Sequence, residues 1–148
     1  MPRIVLDFDP PRPNAPAFAA DTSDLVYFLS WAFSGRYYGG NHEMSIAALV
    51  LRGEFKVDLS PLLRFADRKV EMEADAEELE RAWQDAAPLS ECCEAVVRAL
   101  DSDDKRLAEL REEYPGLKAN IGELGRIAAW AVAQNARIRV TFDLEDDA

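Results

Sequence analysis

Hydrophobic and polar positions alternate at both ends of the chain. In residues 3–8, RIVLDF, the side chains of Ile4, Leu6 and Phe8 fall on one face and those of Val5 and Asp7 on the other. Period-two spacing of this kind predicts a half-buried strand. Residues 137–144, RIRVTFDL, repeat the pattern, with Ile138, Val140 and Phe142 opposite Arg139, Thr141 and Asp143. The two ends share R-I-x-(L/V)-x-F-D at 3–9 and 137–143. A match this short is no repeat. It predicts two similar strands in one sheet, with their apolar faces laid on helices and the termini close together. Two more alternating stretches, FKVDL at 55–59 and KVEME at 69–73, are candidates for short strands joining that sheet.

Between the ends the spacing is mostly helical. Asp21 or Thr22 suits the cap of a helix over DLVYFLSWAF, because short oxygen side chains accept from the free amides of a first turn. This helix is apolar nearly all round, a profile that predicts a core position. Gly35 to Gly40, GRYYGG, then reads as a turn, with Asn41 as the cap of a second buried helix, HEMSIAALVLR, over 42–52. Gly53 suits the position just past its end. Ser60-Pro61 opens a short helix, PLLRFA.

From Asp75 the chain reads as helical and acidic to about residue 135. Asp75 with Glu78 forms a capping signal, and Leu79, Ala82, Trp83 and Ala86 recur at helical spacing. A helix opening near Pro88 and Ser90 puts Cys93, Val96, Val97 and Leu100 on one face. One capped by Asp103 does the same for Leu107, Leu110 and Tyr114, and Pro115-Gly116 ends it. The last helix, about 117–135, carries Gly122, Gly125, Ala129 and Ala133, small residues that admit a close neighbour. The expected architecture is α+β: a mostly helical single domain over 1–148, with a small sheet that includes the N- and C-terminal strands. Residues 9–20, with four prolines, form an extended connector, and 143–148 an acidic tail.

Composition narrows the function classes. Seventeen Lys and Arg against 28 Asp and Glu leave a net charge of −11. Nucleic-acid and anionic-membrane partners are disfavoured, because both rely on basic side chains. Residues 71–113 hold 15 acids against five bases, a surface able to recruit a basic protein patch. No signal peptide is visible, no apolar run of about 20 residues occurs, and the two cysteines are adjacent, so the expected compartment is the cytoplasm.

Catalytic signatures are missing. His42-Glu43 fails the H-E-x-x-H zinc pattern because Ile46 stands where the second histidine belongs. One histidine and two neighbouring cysteines do not fit zinc spacing. There is no G-x-S-x-G, no phosphate-cradling glycine loop and no EF-hand spacing. No metal or cofactor is expected.

One stretch, GRYYGGNHE, gathers candidate binding residues: Arg36 to grip an anion, Tyr37 and Tyr38 for flat amphipathic contact, and Asn41, His42 and Glu43 at a helix start. The leading expectation is a non-enzymatic protein that binds another protein through its acidic helices or this loop. The alternative is a small-ligand binder or enzyme using residues 36–43. A homodimer through an open strand edge is a third expectation.

Overall fold

The computed structural model describes residues 2–38 and 42–144, and side chains for all of these except residues 35–38. The elements run β1 (Arg3–Asp9), α1 (Ser23–Tyr38), α2 (Glu43–Gly53), β2 (Phe65–Asp67), α3 (Glu73–Arg81), β3 (Trp83–Gln84), α4 (Ala86–Leu100), α5 (Lys105–Glu113), α6 (Leu117–Ala133) and β4 (Arg137–Asp143). The fold is α+β, with six helices among the described residues and a small mixed sheet that includes the N- and C-terminal strands. No helix among the described residues is long and apolar enough to cross a membrane.

β4 is the centre of the sheet. It pairs antiparallel with β1 along its whole length, parallel with β2 through Val140–Phe142, and antiparallel with β3 at Ile138 and Arg139. The shared pattern of the two terminal strands explains their register. Laid antiparallel, the motif is complementary to itself, so Arg3 lies opposite Asp143 and Asp9 opposite Arg137. Both ion pairs form, at 3.4 and 2.5 Å. At mid-strand Asp7 faces Arg139, whose Nε donates to it at 3.1 Å and whose terminal guanidinium nitrogen lies in ion-pair contact at 3.1 Å, and Arg68 adds a third contact at 2.8 Å. Arg139 also lies over the Trp83 ring, 4.5 Å from its centroid. The inner face sets Ile4, Ile138 and Val140 into the core and packs Phe8 edge-on against Trp130 of α6.

The other edge of β1 is blunted. Ile4 donates its amide to the Thr22 hydroxyl at 2.8 Å, where the chain enters α1. The Pro-rich segment crosses towards α6, held by Arg12 on the Gln134 carbonyl and by Glu123 on the Ala19 amide. Asp21 is the acid that steadies the entry to α1, accepting from the Ser23 amide and hydroxyl.

α4 and α6 pack together closely. A Cβ placed on Gly125 would stand 2.9 Å from the Cβ of Cys93, which is why α6 is small at this point. Both cysteines are buried, Cys92 included, with its Sγ on the Asp58 carbonyl.

Several local expectations are overturned. FKVDL forms no strand: Lys56 has a φ of 57°, Val57 donates back to the Leu51 carbonyl, and Asp58 accepts from Ser60. KVEME forms none either, because Asp75 draws the amides of Glu71 and Met72 into the start of α3. The segment after Ser60 makes only a turn before β2. Trp83 leaves the helix to pair with β4, so a short strand interrupts the acidic helical segment over 75–135. Asp104, rather than Asp103, caps α5. Residues 145–148 of the acidic tail lie outside the described residues.

Alanine substitution at two glycines separates close packing from propensity. Gly125→Ala is expected to lose about 1–3 kcal/mol, because an added methyl in a tight helix contact forces the helices apart. Gly53→Ala, with nothing within 4 Å of its added Cβ, is expected to gain up to about 1 kcal/mol from helix propensity. Urea unfolding of the two variants checks the opposite signs.

Candidate functional site

The structure recasts the GRYYGGNHE stretch. α1 does not stop at Phe33 but continues through Tyr38, so Gly35, Arg36, Tyr37 and Tyr38 form its last turn. The side chains of Arg36, Tyr37 and Tyr38, and the whole of Asn41, lie outside the described residues. The cap expected of Asn41 is made by His42, whose Nδ1 accepts from the Met44 amide at 3.2 Å. That bond requires a lone pair on Nδ1, so it belongs to the neutral imidazole with its proton on Nε2. The His42 ring also stacks flat on Trp31 of α1, with centroids 4.1 Å apart and planes 2° from parallel. A second tie, from the Ser45 hydroxyl to the Trp31 carbonyl, clamps the start of α2 to the same turn of α1.

Glu43, the first residue of α2, faces the end of α5. Its Oε1 accepts from the Tyr114 hydroxyl at 2.7 Å. That bond holds the Glu43 carboxyl below its ordinary range, and a hydrogen bond with Glu113 adds to the effect. Glu113 moves the other way: its hydrogen bond to Glu43 and the repulsion between the two carboxylates raise it. Tyr114 is pushed up to about 12, chiefly because the charged Glu43 carboxylate holds its proton. Two carboxyls from different helices therefore meet beside the Trp31–His42 stack. Neither Glu113 nor Tyr114 was among the expected site residues, because their approach to Glu43 depends on how α5 lies against α2.

The larger surprise is the solvent face of α1 and α2. Both helices were expected in the core. They do bury one side, with Leu25, Phe28 and Leu29 of α1 and Met44, Ala48 and Leu51 of α2. Their other side is open. Tyr27 is 44% exposed, Trp31 42%, Ile46 38% and Leu49 53%. Tyr27 and Trp31 stand one turn apart on α1, and Ile46 and Leu49 one turn apart on α2. The Trp31–His42 stack and the Ser45 tie bring the two stripes side by side. The exposed, described residues of the two helices are Tyr27, Ser30, Trp31, Phe33, Ser34, Glu43, Ile46, Leu49 and Gly53, and only Glu43 is charged. In a chain with 30% charged residues, that is a depleted surface. Depletion of charge with enrichment of aromatic and aliphatic groups marks the centre of protein interfaces.

The cysteines offer no nucleophile at neutral pH. Burial pushes the Cys92 thiol up to about 11 and the Cys93 thiol higher still. The reactive species is the thiolate, which these sites disfavour.

Two substitutions test the geometry. His42→Ala loses both the cap and the stack, an expected cost of about 1–2 kcal/mol, whereas His42→Asn keeps a capping oxygen and should recover about half of it. Thermal unfolding of the pair reads this; equal losses would remove the cap from the account. Glu43→Gln removes the charge that raises Tyr114, so Tyr114 should fall from about 12 towards 10. The raised group favours its protonated form in the fold. Its contribution to stability is full below pH 10 and lost as pH rises through about 12. Ring-labelled tyrosine NMR follows both effects. Comparison with family models, curated proteins and solved structures finds no match to this chain.

Proposed function

We propose that this protein acts by binding another protein, and that the contact is the open face of α1 and α2. The observation that carries the reading is the exposure of Tyr27, Trp31, Ile46 and Leu49 on one nearly charge-free surface. Aromatic side chains in such a setting are the residues on which binding energy concentrates. This moves the expected contact from the acidic helices to the helix pair that the GRYYGGNHE stretch joins. His42 and Glu43 remain at its edge.

The same geometry favours binding over small-molecule chemistry at residues 36–43. Nδ1 of His42 is engaged by its own helix, and an oxygen of Glu43 by Tyr114. Both groups serve to seat α2, which keeps the apolar face rigid.

The test is affinity capture with wild type, Trp31→Ala and Leu49→Asp, beside Met72→Asp, a control on the exposed Met72 at the start of α3. A stoichiometric partner should be retained by the control. Its affinity should weaken by about 30-fold or more in the two face variants, the scale of a hot-spot loss of about 2 kcal/mol. Leu49→Asp, at an exposed site, should change stability little. Trp31→Ala also loses the stack on His42, so thermal unfolding is read beside the capture, and circular dichroism should show both variants folded. A partner captured equally by all four proteins would remove the face from the function.

A further inference from the structure

We infer that the partner of this face is a basic one: a protein segment apolar along its length, with Lys or Arg at the end that meets Glu43 and Glu113. The inference rests on the protein-binding reading of the α1–α2 face and adds the chemistry of what docks there.

The face has two unlike ends. At the His42 end, Glu43 lies in the exposed stripe of α2 and accepts from the Tyr114 hydroxyl, and Glu113, exposed at the end of α5 and next to Tyr114 in the chain, brings a second carboxyl to the same end. Two carboxyls held together repel whenever both are charged. Tyr114 supplies one donor to Glu43 and can supply no positive charge. A guanidinium or ammonium placed there would satisfy both carboxylates at once, and its stem would lie along the Trp31 and His42 rings. Of the cations of α5, Arg111, the nearest in sequence to Glu113, is engaged by Asp101, while Lys105 and Arg106 stand at the opposite end of the helix, where Arg106 is held by Glu54 and Asp104.

A second copy of the chain is the poorer fit. Each copy brings −11 of net charge. Turned about a two-fold axis, it would offer the half-buried Arg52, at the far end of α2, against two carboxylates. Charge at the rim of an apolar contact selects the partner and its orientation more than it adds affinity. A basic end would therefore dock in one direction along the face.

The test uses a phage-displayed peptide library, selected on wild type and depleted on Leu49→Asp. Enriched peptides are then synthesised and titrated by fluorescence anisotropy. The expected winners depend on Leu49, cluster Lys or Arg at one end, and weaken about tenfold against Glu43→Gln/Glu113→Gln and at high salt. The double variant keeps an acceptor for Tyr114, and its thermal unfolding confirms the fold. Leu49-dependent winners without basic residues, or with affinity unchanged in the double variant, would overturn this inference and leave the binding face standing. Failure to enrich any Leu49-dependent peptide would overturn both. Sedimentation showing a dimer that Leu49→Asp dissolves would assign the face to a second copy and overturn the basic partner.

Discussion

The pairing of β4 with three other strands is the constraint on which the rest of the structure depends. It is the last strand in the sequence, yet β1, β2 and β3 all find their hydrogen bonds on it. The sheet cannot assemble without joining the ends of the chain. Register then matters more than strength. A slip of one residue would turn Ile138 and Val140 out of the core and Arg139 into it. A slip of two would keep the faces but separate Arg3 from Asp143 and Asp9 from Arg137. Cross-strand ion pairs are worth only about 0.2–1 kcal/mol each, so here they select the alignment while the apolar face supplies most of the stability.

That sheet also decides what the helices show. α6 and α4 pack together, α6 lies against β4, and α1 and α2 fold back on each other at the side. A helix buried on every side needs neighbours all round. α1 and α2 have too few, so their apolar character continues into solvent as Tyr27, Trp31, Ile46 and Leu49. The Trp31–His42 stack, the His42 cap and the Tyr114–Glu43 bond hold this exposed surface in one shape. Rigid apolar surface loses little entropy when covered. The fold thus holds one apolar side of α1 and α2 open to solvent.

The acidity has a more local meaning than its total suggests. Asp21, Asp58, Asp67, Asp75 and Asp104 each accept backbone amides at turns or helix starts. Hydrogen bonds hold Asp58 and Asp104 below the ordinary carboxyl range. Asp7, Asp9 and Asp143 pair across the sheet. Much of the negative charge therefore shapes the chain. Glu43 and Glu113, which no ion pair joins to a cation among the described residues, stand out against that background.

What the sequence determined by itself was everything set by neighbours in the chain. The two terminal strands, their inward faces, the long helices and the stop at Pro115-Gly116 all follow from local spacing and turn chemistry. The α+β class follows from their order. Tertiary structure decided the rest. Phe65–Asp67 and Trp83–Gln84 became strands because β4 offered them a free edge, whereas FKVDL alternates equally well and found none. His42 became the cap because Trp31 holds its ring in place. Glu43 met Glu113 and Tyr114 because α5 lies along α2. Above all, an apolar stripe is spelled the same way whether a neighbour covers it or water does. Only the packing of the whole chain shows which sides of α1 and α2 were left open.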